Sequence, residues 1–300
     1  ESHYRKEINE LATQYAGSDL LELALNRNLA GSFKKLMRIS SEELGLLVKE
    51  YAKRKDIDDL KTIIRGKFTG ADEKAVAASI TGAGTLSYDF LMALLKKDSI
   101  ERVLKGNTLV DFSLLNEGLK ELNEKKTLSG IENALDRHYY TQLIKFSERL
   151  PKQGALFRNF IRKEIDILNL MTLLRLKKAR FSREAIKSFI IPSGDMARDL
   201  KIIGLAGTDD FDEISKALQK REYGYIVAKG LEEFKKTSSF ITLEIELYKH
   251  LLKQSILFMH QHLLSVDVIL GYMFAKDIEI RNLRIIIKGK QLGLSEQFIE

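Results

Sequence analysis

An all-α fold is predicted by three features of the 300-residue chain. It has only two prolines, Pro151 and Pro192; Leu, Ile, Lys, Glu and Ala dominate; and apolar side chains recur at helical spacing in three separate places. Length alone would allow one large domain or two to three small ones. The internal repeat decides between these.

The first copy of the repeat runs Lys53-Arg54-Lys55-Asp56-Ile57-Asp58-Asp59-Leu60-Lys61-Thr62-Ile63-Ile64-Arg65-Gly66-Lys67. Residues 163–177 and 276–290 align with it without a gap: a Lys, an acid three later, then Ile, Leu three beyond, two aliphatics, a base, any residue and Lys. Leu170 follows Leu60 at an offset of 110, and Leu283 follows Leu170 at an offset of 113. In the second copy Ile167, Leu170, Leu173 and Leu174 fall at i, i+3, i+6 and i+7, the core-facing stripe of an amphipathic helix. The charges sit off that stripe. An acid near the helix start and bases near its end would suit the helix dipole.

A second block keeps the same spacing. Leu21-Glu22 with Leu25 and Arg27 corresponds to Ile131-Glu132 with Leu135 and Arg137, and to Leu243-Glu244 with Leu247 and Lys249, at offsets of 110 and 112. His138 and His250, and Gln142 and Gln254, are also matched, whereas the first copy has Asn28 at the histidine position. The repeat divides the chain into three helical lobes, 1–72, 73–182 and 183–300; the first is shortened or lacks residues that precede it. Gly70, Gly82, Gly84 and Pro192-Ser193-Gly194 mark turns, and Thr208-Asp209-Asp210 before Phe211 marks a helix start.

The charged fraction of 30% and hydrophobic fraction of 44% are those of a folded globular protein rather than a disordered one. The net charge of +7 permits an acidic partner, nucleic acid or an anionic membrane surface and specifies none of them. Without cysteine there is no disulfide framework or thiol chemistry, which agrees with an intracellular protein. The polar start Glu1-Ser2-His3-Tyr4-Arg5-Lys6-Glu7 does not read as a signal peptide. Ser255 to Ala275 is apolar and long enough to span a bilayer, but His260, Gln261, His262 and Asp267 interrupt it. A central aspartate costs roughly 2.5–3.5 kcal/mol on insertion, so a buried core helix is expected there.

Site chemistry is sparse. His260 and His262, two apart on a helix, point about 200° from one another and cannot share an ion. Gly66-Lys67-Phe68-Thr69 lacks the earlier glycine and the adjacent hydroxyl of a phosphate loop, and Gly82-Ala83-Gly84 lacks the third glycine of a dinucleotide fingerprint. Bases mixed with acids and the absence of tryptophan give no single-strand nucleic-acid signature. Neither a catalytic residue, a metal ligand nor a cofactor is predicted.

Residues 164–178 (EIDILNLMTLLRLKK) and 279–294 (EIRNLRIIIKGKQLGL) resemble the helix motifs of the C subunits of archaeal and bacterial A/V-type ATPases, whose eukaryotic equivalents are the d subunits. The threefold repeat at its long, nearly constant spacing is similar to that family's layout, and the first copy departs from it, with Asp59 where the others have Asn169 and Asn282. The resemblance implies three similar lobes in a funnel about a pseudo-threefold axis, one end on a membrane proteolipid ring and the other a socket for central axle subunits of the D and F type. It implies a peripheral, non-catalytic rotor part on the cytoplasmic side of the cell membrane that carries torque in ion-coupled ATP synthesis or hydrolysis.

On that expectation, the repeated charges are the candidate partner contacts: Lys53, Lys163 and Lys276; Asp56, Asp166 and Glu279; Arg65, Arg175 and Lys288. Pairing between lobes would repeat charges equally well. The alternative reading is a helical repeat scaffold without enzymatic activity, although solenoid units are about 33–47 residues long and this period is far longer.

Overall fold

The computed structural model describes residues 3–40, 42–150, 154–198, 201–208, 210–261 and 265–295; Pro151, Asp209 and His262 lie outside the described residues. Helix accounts for 79% of the described residues, and no strand occurs among them. In chain order the helices are α1 (Arg5–Leu11), α2 (Gly17–Ile39), α3 (Glu42–Thr69), α4 (Glu73–Ser79), α5 (Tyr88–Leu95), α6 (Ile100–Gly106), α7 (Asn116–Lys125), α8 (Ser129–Glu148), α9 (Gly154–Lys178), α10 (Arg183–Phe189), α11 (Asp195–Arg198), α12 (Lys201–Leu205), α13 (Phe211–Leu218), α14 (Gly224–Thr237), α15 (Ile241–Gln261) and α16 (Val266–Gln291). Two compact units result: residues 1–139 with 272–300, and residues 140–271.

The three copies of the motif fall on α3, α9 and α16, the three long helices of the repeat. Ile57, Leu60, Ile63 and Ile64 are buried on α3, and Ile167, Leu170, Leu173 and Leu174 on α9, as the stripe demands. On α16 Ile280 is buried while Ile285 and Ile286 are exposed. After α3 and α9 a short helix packs back on the long one, carrying buried Val76 or Ile186; no described element does this for the end of α16. The second-block helices α2, α8 and α15 bury Leu25, Leu135 and Leu247 at matched positions.

The long helices also end alike. Gly70, Arg180 and Gly293 occupy equivalent positions of the three copies, and all are left-handed, with φ of 68°, 60° and 70°. Beyond them the amides of Ala71, Phe181 and Leu294 reach back to the carbonyls of Gly66, Leu176 and Gly289 at 2.9, 3.0 and 3.0 Å. This is the Schellman closure that satisfies carbonyls left over at a helix end. Asp72 and Ser182 then cap α4 and α10, accepting from Ala75 and Ala185. Asp210 caps α13, as expected for that helix start.

Two expectations need correction. The acids do not lie near the helix starts: α3 begins at Glu42 and α9 at Gly154, so Asp56 and Asp166 are mid-helix, because apolar residues upstream (Leu47, Val48 and Tyr51; Phe157, Phe160 and Ile161) extend the buried stripe. A dipole account holds only for the bases of the last turn, such as Arg175 and Lys288. Nor is 255–275 one core helix. It comprises the end of α15 and the start of α16, where the Ser265 hydroxyl accepts from the Asp267 amide. Val266, Leu270, Met273 and Phe274 are buried there, whereas Ile256, Leu257 and Tyr272 are exposed. No helix among the described residues is long and apolar enough to cross a membrane.

Candidate functional site

In the first two copies a loop returns to the long helix, and the acids of the motif hold that loop. Asp56 accepts from the Thr85 amide at 2.8 Å, the Thr85 hydroxyl at 2.7 Å and the Leu86 amide at 3.0 Å. Asp166 accepts from the Met196 amide at 2.9 Å, and Met196 is the second copy's counterpart of Leu86. Both carboxylates are buried. Glycine is required opposite them: a Cβ on Gly84 would lie 2.1 Å from Asp56 Oδ1, and one on Gly194 2.5 Å from Asp166 Oδ1. One turn further, Asp59 accepts from the amides of Thr81 and Gly82 at 2.7 and 2.8 Å, and Asn169 accepts from the Ile191 amide at 2.8 Å and donates to its carbonyl at 2.9 Å. Burial pushes the Asp59 carboxyl up to about 6, the loop hydrogen bonds offsetting it only in part. Burial likewise raises Asp56 above the usual carboxylate range.

The lysines at the start of the motif have different neighbours. Lys53 pairs with Glu50 at 2.6 Å on its own helix, and Lys163 with Glu222 at 2.9 Å. His250 lies 4.0 Å from the same Glu222, and burial pulls its imidazole below the ordinary histidine value. Lys276 is buried: it donates to the Tyr4 hydroxyl at 2.8 Å and to Glu279 at 3.1 Å, with its ammonium 4.5 Å from the Tyr4 ring centre. Tyr4 in turn donates to Glu279 at 2.7 Å. Burial and this carboxylate raise the Tyr4 hydroxyl, which stays protonated.

The bases at the end of the motif meet the glutamates of the second block. Arg65 grips Glu132 with two nitrogens, at 2.6 and 2.9 Å. Arg175 pairs with Glu244. Lys288 Nζ lies 2.6 Å from Glu22 Oε1, an ion pair without a well-directed hydrogen bond. The base of the first copy thus meets the glutamate of the second, the second meets the third, and the third meets the first. Lys61 with Asp136 and Arg284 with Asn26 follow the same order. All three motif bases are more than half exposed.

Sequence inspection missed a buried cluster on the motif helices. Lys55 Nζ lies 2.6 Å from Asp277 and 3.1 Å from Asp58, and the Lys55–Asp277 pair is nearly buried. Burial would raise Asp277, but Lys55 and Arg54 outweigh it and bring the carboxyl down to about 2. Burial works against the Lys55 ammonium too, and the two aspartates hold it above its ordinary value. Nothing in the repeat pattern flagged this, because the other copies have Ile165 and Ile278 at the Lys55 position.

Among the described residues no group of His, Cys, Asp and Glu could hold a metal ion. What the arrangement offers is a set of internal clasps and a few half-exposed bases. A family model described as ATP synthase (C/AC39) subunit matches residues 1–300. The chain is 40% identical to the C subunit of the A-type ATP synthase of Methanococcoides burtonii, covering all of this chain and 82% of that protein. It is 36% identical to the corresponding A-type ATP synthase protein of Methanosarcina barkeri (all of this chain, 81% of that one) and 28% identical to that of Methanocaldococcus jannaschii (all of this chain, 75% of that one). With the repeat, the all-helical fold and this match along its whole length, the chain belongs to the ATP synthase (C/AC39) subunit family.

Proposed function

We propose that this ATP synthase subunit is a non-catalytic central-stalk part, joining axle subunits of the D and F type to the membrane proteolipid ring on the cytoplasmic side of the cell membrane and carrying torque between ion flow and ATP chemistry. Its three lobes, 1–72, 73–182 and 183–300, are units of repetition arranged about a pseudo-threefold axis. The observation that carries this reading is the order of the pairs Arg65–Glu132, Arg175–Glu244 and Lys288–Glu22. A head-to-tail contact used three times and returned to its starting copy is the connectivity that a rotation axis generates.

Within that arrangement Asp56 and Asp166 serve the lobes' own loops, and the half-exposed Arg65, Arg175 and Lys288, with Lys53 and Lys163, form the partner contact. Charged, wet contacts grip a partner without a large apolar surface that could trap wrong assemblies. Capture of partners by the tagged chain from detergent-solubilised membranes tests this. A small, very hydrophobic ring protein and the axle subunits are expected in the eluate; an eluate holding neither contradicts the reading.

A further inference from the structure

A cavity of about 650 Å³ lies in the unit formed by residues 140–271, beside the end of α9. That is within the roughly 300–1,000 Å³ of small-molecule sites. Its described lining holds three bases, Lys177, Arg180 and Arg183, two aromatic rings, Phe181 and Phe211, and no carboxylate. Among the described residues neither Arg180 nor Arg183 is ion-paired, and Arg183 lies along the turn at Gly207, 3.6 Å from where a Cβ would stand. Lys177 donates to the Ala206 carbonyl at 3.1 Å, which holds its ammonium at the rim. Phe211 belongs to a ring cluster with Phe234 and Phe240, at 5.2 and 5.9 Å between centres, so one wall is rigid and aromatic.

The repeat separates what the fold needs from what this cavity adds. The left-handed end of the long helix is made by Gly70 and Gly293 in the other copies, and here by Arg180, although the conformation is strained for a residue with a Cβ. Phe181 and Arg183 stand where the first copy has Ala71 and Glu73. Lys177 alone is common to the copies, matched by Lys67 and Lys290. The same turn therefore closes in the first copy without an arginine or a phenylalanine at these positions, so the turn itself does not require the side chains of Arg180, Phe181 or Arg183.

From this we infer that the cavity binds a phosphate ester, its phosphoryl group held by Arg180, Arg183 and Lys177 and its organic part lying on Phe181 and Phe211. Guanidinium forks match phosphoryl oxygens two at a time, and among the described lining residues the anion meets three bases and no acid. The ester is a soluble metabolite or a lipid headgroup, and the two present the same group to the bases. The site does not depend on the rotor reading, since it uses no residue of the proposed partner contact.

Isothermal titration of the whole chain at low salt, with inorganic phosphate, adenosine monophosphate and dihexanoyl phosphatidic acid below its micelle concentration, tests it. Both esters should bind more tightly than inorganic phosphate, and the tighter of the two identifies the source. Arg180→Gly with Arg183→Glu, which installs the first copy's residues, should weaken both at least tenfold, about 1.4 kcal/mol. Because glycine relieves the strained turn, this variant keeps the wild-type melting temperature or exceeds it. Phe181→Ala should remove the advantage of the esters. No binding at millimolar concentrations, equal binding of phosphate and esters, or undiminished binding in the double variant would each overturn the assignment.

Discussion

Where the chain comes back to α3 it is caught by Asp59, a carboxylate accepting from Thr81 and Gly82; in the next copy the same position, on α9, is Asn169, which both accepts from and donates to Ile191. One turn earlier Asp56 and Asp166 do the same work for Leu86 and Met196. The copies therefore share backbone positions to the residue while exchanging the chemistry that fills them. An amide satisfies the loop with a donor and an acceptor and ignores pH. A buried carboxylate satisfies only donors and becomes sensitive to protonation.

The largest effect should come from removing the common element. Asp56→Ala removes the acceptor of the Thr85 and Leu86 amides and Asp166→Ala that of the buried Met196 amide, at roughly 2–4 kcal/mol apiece, read as a fall in the urea midpoint. Equal treatment of α3 and α9 breaks if only one of the two destabilises. The next effect separates the copies by pH. Asp59 has its folded value raised to about 6, so it binds a proton more readily folded than unfolded. Its contribution is fully present below the unfolded value near 3.9 and is lost as pH rises through 6, by up to about 3 kcal/mol. Asp59→Asn should flatten that part of the stability profile, and the difference between the two profiles isolates the group. Asp277, held at about 2, acts in the opposite sense, its contribution present above about pH 4 and lost as pH falls toward 2.

Exchanging the second position the other way sharpens the comparison. Asn169→Asp would set a carboxylate oxygen against the Ile191 carbonyl and cost roughly 1–3 kcal/mol at pH 7 by the same urea measurement. A gain in stability there would mean that the two loops are not equivalent. Smallest of all are Arg65→Ala, Arg175→Ala and Lys288→Ala, each under about 1 kcal/mol, because both water and salt screen half-exposed pairs.

The helices were readable because aliphatics at i, i+3, i+6 and i+7 leave little choice of structure, and the triplication was readable because Leu60, Leu170 and Leu283 keep their spacing. What Asp56 and Asp166 do was not. Apart from the Thr85 hydroxyl, the partners described are backbone amides well downstream in the chain, and an amide carries no mark in a sequence. Gly84 and Gly194 were visible as turn markers, though not as the room made for those carboxylates. The pairing of Arg65, Arg175 and Lys288 with the second-block glutamates was present as two sets of matched positions, but spacing alone does not say which copy meets which. Lys55 with Asp277 breaks the repeat, so a search for likeness passes over it.

The bases give the most direct trial of the rotor assignment. Reversing Arg65, Arg175 and Lys288 to Glu, with Glu132, Glu244 and Glu22 changed to Gln so that no like charges meet, should shift the melting temperature by only a few degrees. In a reconstituted complex the same variant should lose axle binding and ion-driven ATP synthesis. Wild-type axle binding and synthesis from the folded variant would contradict the account.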